Sequence, residues 1–293
     1  MKTIFRVIFC ILFMPAMVLA QEKSGLMKKI KMRKSLQSVS ETAEAASIIY
    51  TKAKDSSSSS WAANIGIGYA ILDEAVTLTP YIEYHKNTLV TKKQDSRELG
   101  VAFRWDIGDH ATHKFIPILL ASGKYNEDQE KDNKSLRSSL AFSLKPGAIL
   151  KDKWKSISPN QDFPVGKSFN LNYSPYLGLE SENRLSADKP EAKGYIYRWY
   201  FRINPVLSFF PPAKLIPGYF ELAVDYQYRR DFAKSVQEIS TRRHEYFTAS
   251  INYNLFREGD TKVQLGFDYI KGEDPTQNFL SQSYHALSLK AKF

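Results

Sequence analysis

The sequence has almost no cysteine: of 293 residues, the one Cys is Cys10. It also lacks long apolar runs. A membrane-crossing helix needs about 20 consecutive apolar residues, and the nearest approach, residues 7–20, is shorter and interrupted by Pro15. A helical membrane protein is therefore excluded. The mean hydropathy, −0.37, is polar. Aromatic residues, by contrast, are abundant, with 17 Tyr, 18 Phe and 4 Trp. Together with 43% hydrophobic residues they exceed what a disordered chain carries. Two classes remain for a chain of this length: one or two soluble domains, or one barrel whose strands turn one face to lipid and the other to a lumen.

The amino terminus reads as an export signal. Lys2 and Arg6 precede or flank the apolar run, and Val18 and Ala20 place small residues before Gln21. A signal peptide over residues 1–20 follows, with cleavage after Ala20. A retained anchor is the weaker reading because the run is short. Cys10 lies within this stretch and lacks the small-residue context of a lipoprotein cut. The mature chain then carries no cysteine, which excludes disulfides, thiolate metal sites and thiol catalysis. Lys2 and Arg6 are the charged residues of that stretch, so its removal takes the net charge from +10 to +8. Residues 21–44 form a basic, weakly amphipathic segment, with Lys28, Lys29, Lys31, Arg33 and Lys34 set around Leu26, Met27, Ile30 and Met32. It reads as a contact segment for anionic material or as a solvated linker. The serine run at 56–60 marks an exposed loop.

From residue 45 onward the apolar pattern has a period of two, the mark of strands with one apolar face. Tyr195, Tyr197, Trp199, Phe201 and Ile203 alternate with Ile196, Arg198, Tyr200, Arg202 and Asn204, and the pattern continues to residue 209. Phe220, Leu222, Val224 and Tyr226 alternate with Glu221, Ala223, Asp225 and Gln227, and two more such runs follow. A soluble sandwich also alternates, but its strands average about five or six residues. Segments of about 15 residues fit a tilted membrane crossing better. Strands are predicted at 45–54, 60–71, 74–86, 96–107, 113–124, 135–149, 168–181, 194–209, 217–229, 244–256, 261–271 and 281–293, the first being the weakest. Twelve is an even number, as single-chain barrels require. The connections at 72–73, 108–112 and 257–260 are tight, whereas 150–167 and 210–216 are longer than a barrel needs.

The carboxyl terminus carries a resemblance. Leu287, Leu289, Ala291 and Phe293 make an alternating apolar face that ends in a terminal aromatic. Ala286 and Ser288 stand where a polar residue and a glycine are common. The chain thus resembles a Gram-negative outer-membrane β-barrel protein of the single-chain bacterial type, and these four residues resemble the signal read by the outer-membrane assembly machinery. The resemblance implies an all-β, transmembrane, antiparallel up-and-down barrel of about 12 strands over residues 45–293, in the bacterial outer membrane. It also implies periplasmic termini, and contact with outer-membrane lipids and lipopolysaccharide. On this reading, residues 21–44 are a periplasmic segment or linker that could hold an envelope partner.

Candidate chemistry is sparse. Ser283 and His285 fall on the lipid side of the last strand, as in lipid-hydrolysing barrels, but no third residue orienting the histidine stands out. His244 and Asp231 share a loop, with His85 and Asp268 at other rims, the residue types of outer-membrane proteases. Asp106, Asp109, His110 and His113 have metal-binding types around one turn, which a turn that must stay polar also explains. No cofactor, catalytic residue or metal is assigned, and an enzyme is not expected. Nucleic-acid binding is rejected because the positive charge is spread and no binding motif is present. The candidate functional surface is the lumen, with Arg104, Arg137, Arg198, Arg202, Glu221 and Asp225 as its determinants. Basic residues outnumber acidic ones there. The two leading readings are a narrow porin-like channel for small polar solutes, anions among them, and a closed barrel that binds a partner.

Overall fold

The computed structural model describes residues 29–37, 44–52, 59–73, 75–88, 93–151, 154, 157–210, 219–237, 242–258, 261–275 and 279–293. The expected signal peptide lies outside them. The described residues form fifteen strands: β1 (Ile30–Arg33), β2 (Ala46–Lys52), β3 (Ser59–Tyr69), β4 (Leu72–Asp73), β5 (Val76–Asn87), β6 (Gln94–Asp106), β7 (Phe115–Asp128), β8 (Asn133–Pro146), β9 (Phe163–Val165), β10 (Phe169–Ser186), β11 (Gly194–Phe209), β12 (Phe220–Lys234), β13 (Arg243–Glu258), β14 (Thr261–Asp274) and β15 (Leu280–Lys292). Twelve of them, all but β1, β4 and β9, pair antiparallel with their sequence neighbours, and β15 pairs with β2 to close a barrel. The expected strand at 45–54 is β2. The expected all-β up-and-down barrel of 12 strands is the fold observed.

Side-chain direction follows the pleat. Outward positions include Leu99, Phe142, Leu177, Leu179, Leu222, Ile251, Leu265, Phe267 and Leu287, all exposed. Inward positions include Glu83, Glu98, Arg198, Glu221, Asp225 and Asp268, all buried. This arrangement is the reverse of a sandwich, where the apolar faces meet each other. A continuous exposed apolar band of this extent marks a lipid-facing wall. Aromatic residues collect toward both rims. Trp199 and Tyr228 lie 5.2 Å apart near one rim, and Phe169–Phe209 and Phe220–Tyr253 sit 5.0 and 5.2 Å apart near the other. Such rings suit the two levels where headgroups meet hydrocarbon.

Several strands run beyond their expected ends. β10 reaches Ser186 rather than 181, β12 reaches Lys234 rather than 229, and β14 reaches Asp274 rather than 271. Apolar periodicity stops at the lipid boundary, but the hydrogen-bonded ladder continues on polar residues that pair inside. Glu182, Asp231 and Asp274, expected in loops, therefore belong to the wall and are buried.

The amino-terminal segment departs most from expectation. β1 pairs with the lower half of β3 and β2 with the upper half, along the same edge. On the other side, Met32 exchanges two backbone hydrogen bonds with Phe293, and Ala46 faces Ala291. The two pieces thus form one interrupted strand between β15 and β3. Residues 30–33 stand in the wall and 34–37 and 44 stand in the lumen, so the boundary expected at 44/45, with a periplasmic linker before it, does not describe them.

The long connection at 150–167 also acquires a physical account. β9 folds back onto the start of β10, and Asn160, in a left-handed conformation with φ 57°, reaches the inner wall. Its amide donates to Ser143 Oγ at 2.6 Å and to the Leu144 carbonyl at 2.8 Å, and Tyr176 donates to its Oδ1 at 3.1 Å.

Candidate functional site in the barrel lumen

The interrupted strand places its own chain inside the barrel. After Arg33 the backbone leaves the wall, and the Lys34 N–H bonds the Glu44 carbonyl at 2.9 Å, closing the base of the excursion. Leu36 is fully buried with Tyr81 and Ala102. It lies over Gly66 and Gly68 of β3. A Cβ on Gly68 would fall 3.0 Å from Leu36 Cδ1 and 2.7 Å from Thr79 Cγ2, so the missing side chain makes the room that Leu36 occupies. Glu83 Oε1 receives the Leu36 N–H and the Ser35 hydroxyl, the latter at 3.0 Å. On the opposite wall, Lys34 Nζ reaches Tyr246 OH at 3.1 Å, Asp274 at 3.4 Å and Glu44 at 2.9 Å. The excursion is therefore tied to β5 on one side and to β13 and β14 on the other.

Around it the lumen charges are paired, as burial in a narrow interior demands. Arg202 forks onto Asp225 at 2.9 and 3.0 Å, and Arg229 forks onto Glu180 at 2.8 and 3.0 Å. Arg198 is held between Glu182 at 3.0 Å and Asp231 at 2.9 Å. Arg137 approaches Glu182 at 3.4 Å. Arg104 and Lys145 share Asp106. Glu221 takes Lys262 at 2.7 Å and Gln264 at 2.6 Å. Among the candidate determinants Arg198, Arg202, Glu221 and Asp225, the structure pairs Arg202 with Asp225. Arg198 and Glu221 turn to other partners. Lys114 is exposed just before the start of β7. The basic excess read from the sequence shrinks because Glu182, Asp231 and Asp274 project inward.

Glu83, His85 and Glu98 converge their ligand-type atoms in one buried group. The cation between them is Lys124, whose Nζ lies 2.6 Å from Glu98 and 3.4 Å from Glu83. Lys124 and the nearby Arg137 balance the two carboxylates, so the charge count needs no metal ion. His85 Nδ1 is fixed by Asn64 Oδ1 at 3.0 Å.

Both mouths are narrowed. At the loop-rich end Phe279, with φ 59°, turns its ring under the rim. Arg198 lies 4.4 Å and Arg229 5.7 Å from that ring, and His244 stacks 4.9 Å from it. At the other end stands Asn160. Between them, cavities of about 80 and 60 Å³ flank Lys34 and Glu44. Each is room for a few water molecules, since one needs at least about 10–15 Å³.

The remaining expectations separate cleanly. His244 does meet Asp231, at 3.4 Å, but it also meets Glu273, and His85 belongs to the other cluster. Asp268 pairs with Lys290 at 2.6 Å. Ser283 and His285 face outward, as read, and His285 stacks on Phe267 and Tyr269 at 5.7 and 5.0 Å. Among the described residues no side chain hydrogen-bonds its imidazole. Asp109 caps its own turn through Ala111 N and the Thr112 hydroxyl, while Asp106 points into the lumen, so Asp106, Asp109, His110 and His113 do not converge.

Comparison with known proteins assigns the chain to no family. No family profile matches the chain, and no curated protein does. A solved structure from work on the mechanism of in-meso crystallisation of membrane proteins aligns over 85% of this chain and 82% of its own, at 11% identity and a TM-score of 0.39. The siderophore receptor PirA of Pseudomonas aeruginosa aligns over 89% of this chain and 40% of its own, at 13% identity and a TM-score of 0.30.

Proposed function

We propose that the chain is an outer-membrane β-barrel of the Gram-negative single-chain type, shut at rest by its own residues 34–37 and 44, and that it passes small polar solutes when these leave the lumen. One observation carries the reading. Arg33 lies opposite Gly66 and Ser47 opposite Asn64, so Ala46 takes the place opposite Ile65, directly after Arg33. Residues 34–45 are thus an insertion into a strand that is continuous in register and in facing without them. The wall is complete in their absence, and what the described ones, 34–37 and 44, add is an obstruction. The charge pairing around them leaves little free positive charge, so the open lumen is proposed to have no preference for anions.

The outer membrane is supported by the apolar band and by the terminal strand, whose outward Leu287 and wall-forming Phe293 keep the pattern that resembles the assembly signal. The proposal puts the chain termini and the connection holding Asn160 on the periplasmic side, and the loop carrying Phe279 outside. No catalytic step is part of the proposal. Uptake of a small sugar into proteoliposomes tests it: the full chain is expected to be slow and a chain lacking 34–45 at least about tenfold faster. Equal, slow uptake by both would favour the second reading, a closed barrel that binds a partner, which the stoppers at both mouths also support.

A further inference from the structure

On the outer wall, Arg230 of β12 lies directly opposite Arg243 of β13, and both side chains are exposed. Like charges placed opposite each other in an antiparallel pair repel. Among the described residues no carboxylate pairs with either guanidinium. Of the acids on this face, Glu245 stands one outward position deeper on β13, and Glu273 is engaged by His244. Lys271, also exposed, adds positive charge on β14.

The surroundings of this pair are aromatic. Along β12, Arg230 is bracketed on the same face by Tyr228 and Phe232, and across the ladder it faces Trp199. Trp199 packs 5.2 Å from Tyr228, and Tyr197 stacks 6.2 Å from Phe232. Rings of this kind mark headgroup depth in a membrane. Two unpartnered guanidinium groups at that depth match the geometry and charge of a phosphate ester, which accepts paired N–H donors from each.

We propose that Arg230 and Arg243 bind the phosphate of an anionic lipid in the surrounding leaflet, with the flanking aromatics packed against the lipid's apolar part. The proposal rests on the membrane-barrel reading, because a lipid is what brings phosphate to the side of the wall. Native mass spectrometry of the purified full chain in a neutral detergent tests it. The probes are bis-phosphorylated lipid A, the same lipid with both phosphates removed, and inorganic phosphate.

The expected result is one phosphorylated lipid retained per barrel, with occupancy reduced about tenfold by Arg230→Gln/Arg243→Gln and to a lesser extent by each single change. The dephosphorylated lipid is expected to bind the native chain as weakly as the phosphorylated lipid binds the double variant. In lipid-free detergent the double variant is expected to melt no lower than the native barrel, since a repulsion has been removed; a merely structural pair would melt lower. Unchanged occupancy in the double variant, equal retention of the dephosphorylated lipid, or displacement of the lipid by equimolar inorganic phosphate would overturn the proposal. A mature chain that stays monomeric without detergent would instead overturn the membrane reading beneath it.

Discussion

Glu83 and Leu36 show how much of this protein's behaviour is set by single side chains. Glu83 accepts from the Leu36 backbone and Ser35, and it also faces Lys124, so it ties the inserted segment to the wall's own ion cluster. Leu36→Ala removes the apolar contact with Tyr81 and Ala102, and truncations of this kind cost about 2–5 kcal/mol of local packing. The expected outcome is a barrel that still shows heat-modifiable migration but opens more often, seen as faster sugar uptake. Glu83→Ala leaves Lys124 with Glu98 as its remaining carboxylate in a buried site, and losses of this type run to about 3–5 kcal/mol. Its thermal midpoint is expected to fall by more than that of Leu36→Ala. At this scale the sequence shows which residues face inward, because the period of two assigns faces. It does not show who pairs with whom. Arg198 joins Glu182 and Asp231 across three strands, and no local pattern announces a partner so far away in sequence.

The strands of the barrel are legible because each must alternate to serve lipid and water at once. β11 matches its expected ends, 194 and 209, because its outward positions stay aromatic or apolar from Tyr195 through Ile203, Pro205 and Leu207 to Phe209. β10 and β12 run past theirs because the ladder outlasts the apolar pattern, and those extra residues bring Glu182 and Asp231 inside. β1 escapes notice for a different reason. It is four residues long, Ile30–Arg33, within a basic stretch, so its alternation merges with the charge of its neighbours. Its pairing with β3 and with Phe293 is long-range, and the register that makes it the lower half of β2 exists only in three dimensions. The elements that stop the mouths lie in connections, where periodicity says nothing. Asn160→Ala is expected to loosen the 150–167 connection, with cleavage there by added protease faster than in the native chain while the barrel stays intact. Unchanged cleavage would mean that its bonds to Ser143, Leu144 and Tyr176 do not hold that connection.

For the whole molecule, the polar average and the aromatic excess have one cause: apolar rings outside, charges inside, and loops that dilute both. A closed wall with a paired interior is expected to hold without the inserted segment, since β1 and β2 together complete the seam between β3 and β15. Deleting 34–45 removes Lys34, Glu41 and Glu44, a net change of +1, while the ion pairs of the wall itself stay in place, so the reversal potential of the opened lumen in a salt gradient is expected to stay near zero. A strong anion preference would mean that the paired arginines are freer than their geometry indicates. The most direct test is single-channel recording of the full chain and of the chain lacking residues 34–45, in the same bilayer and salt. The account predicts a silent or rarely opening native barrel and a steady, discrete conductance after the deletion; a native barrel with the same steady conductance as the deletion would contradict it.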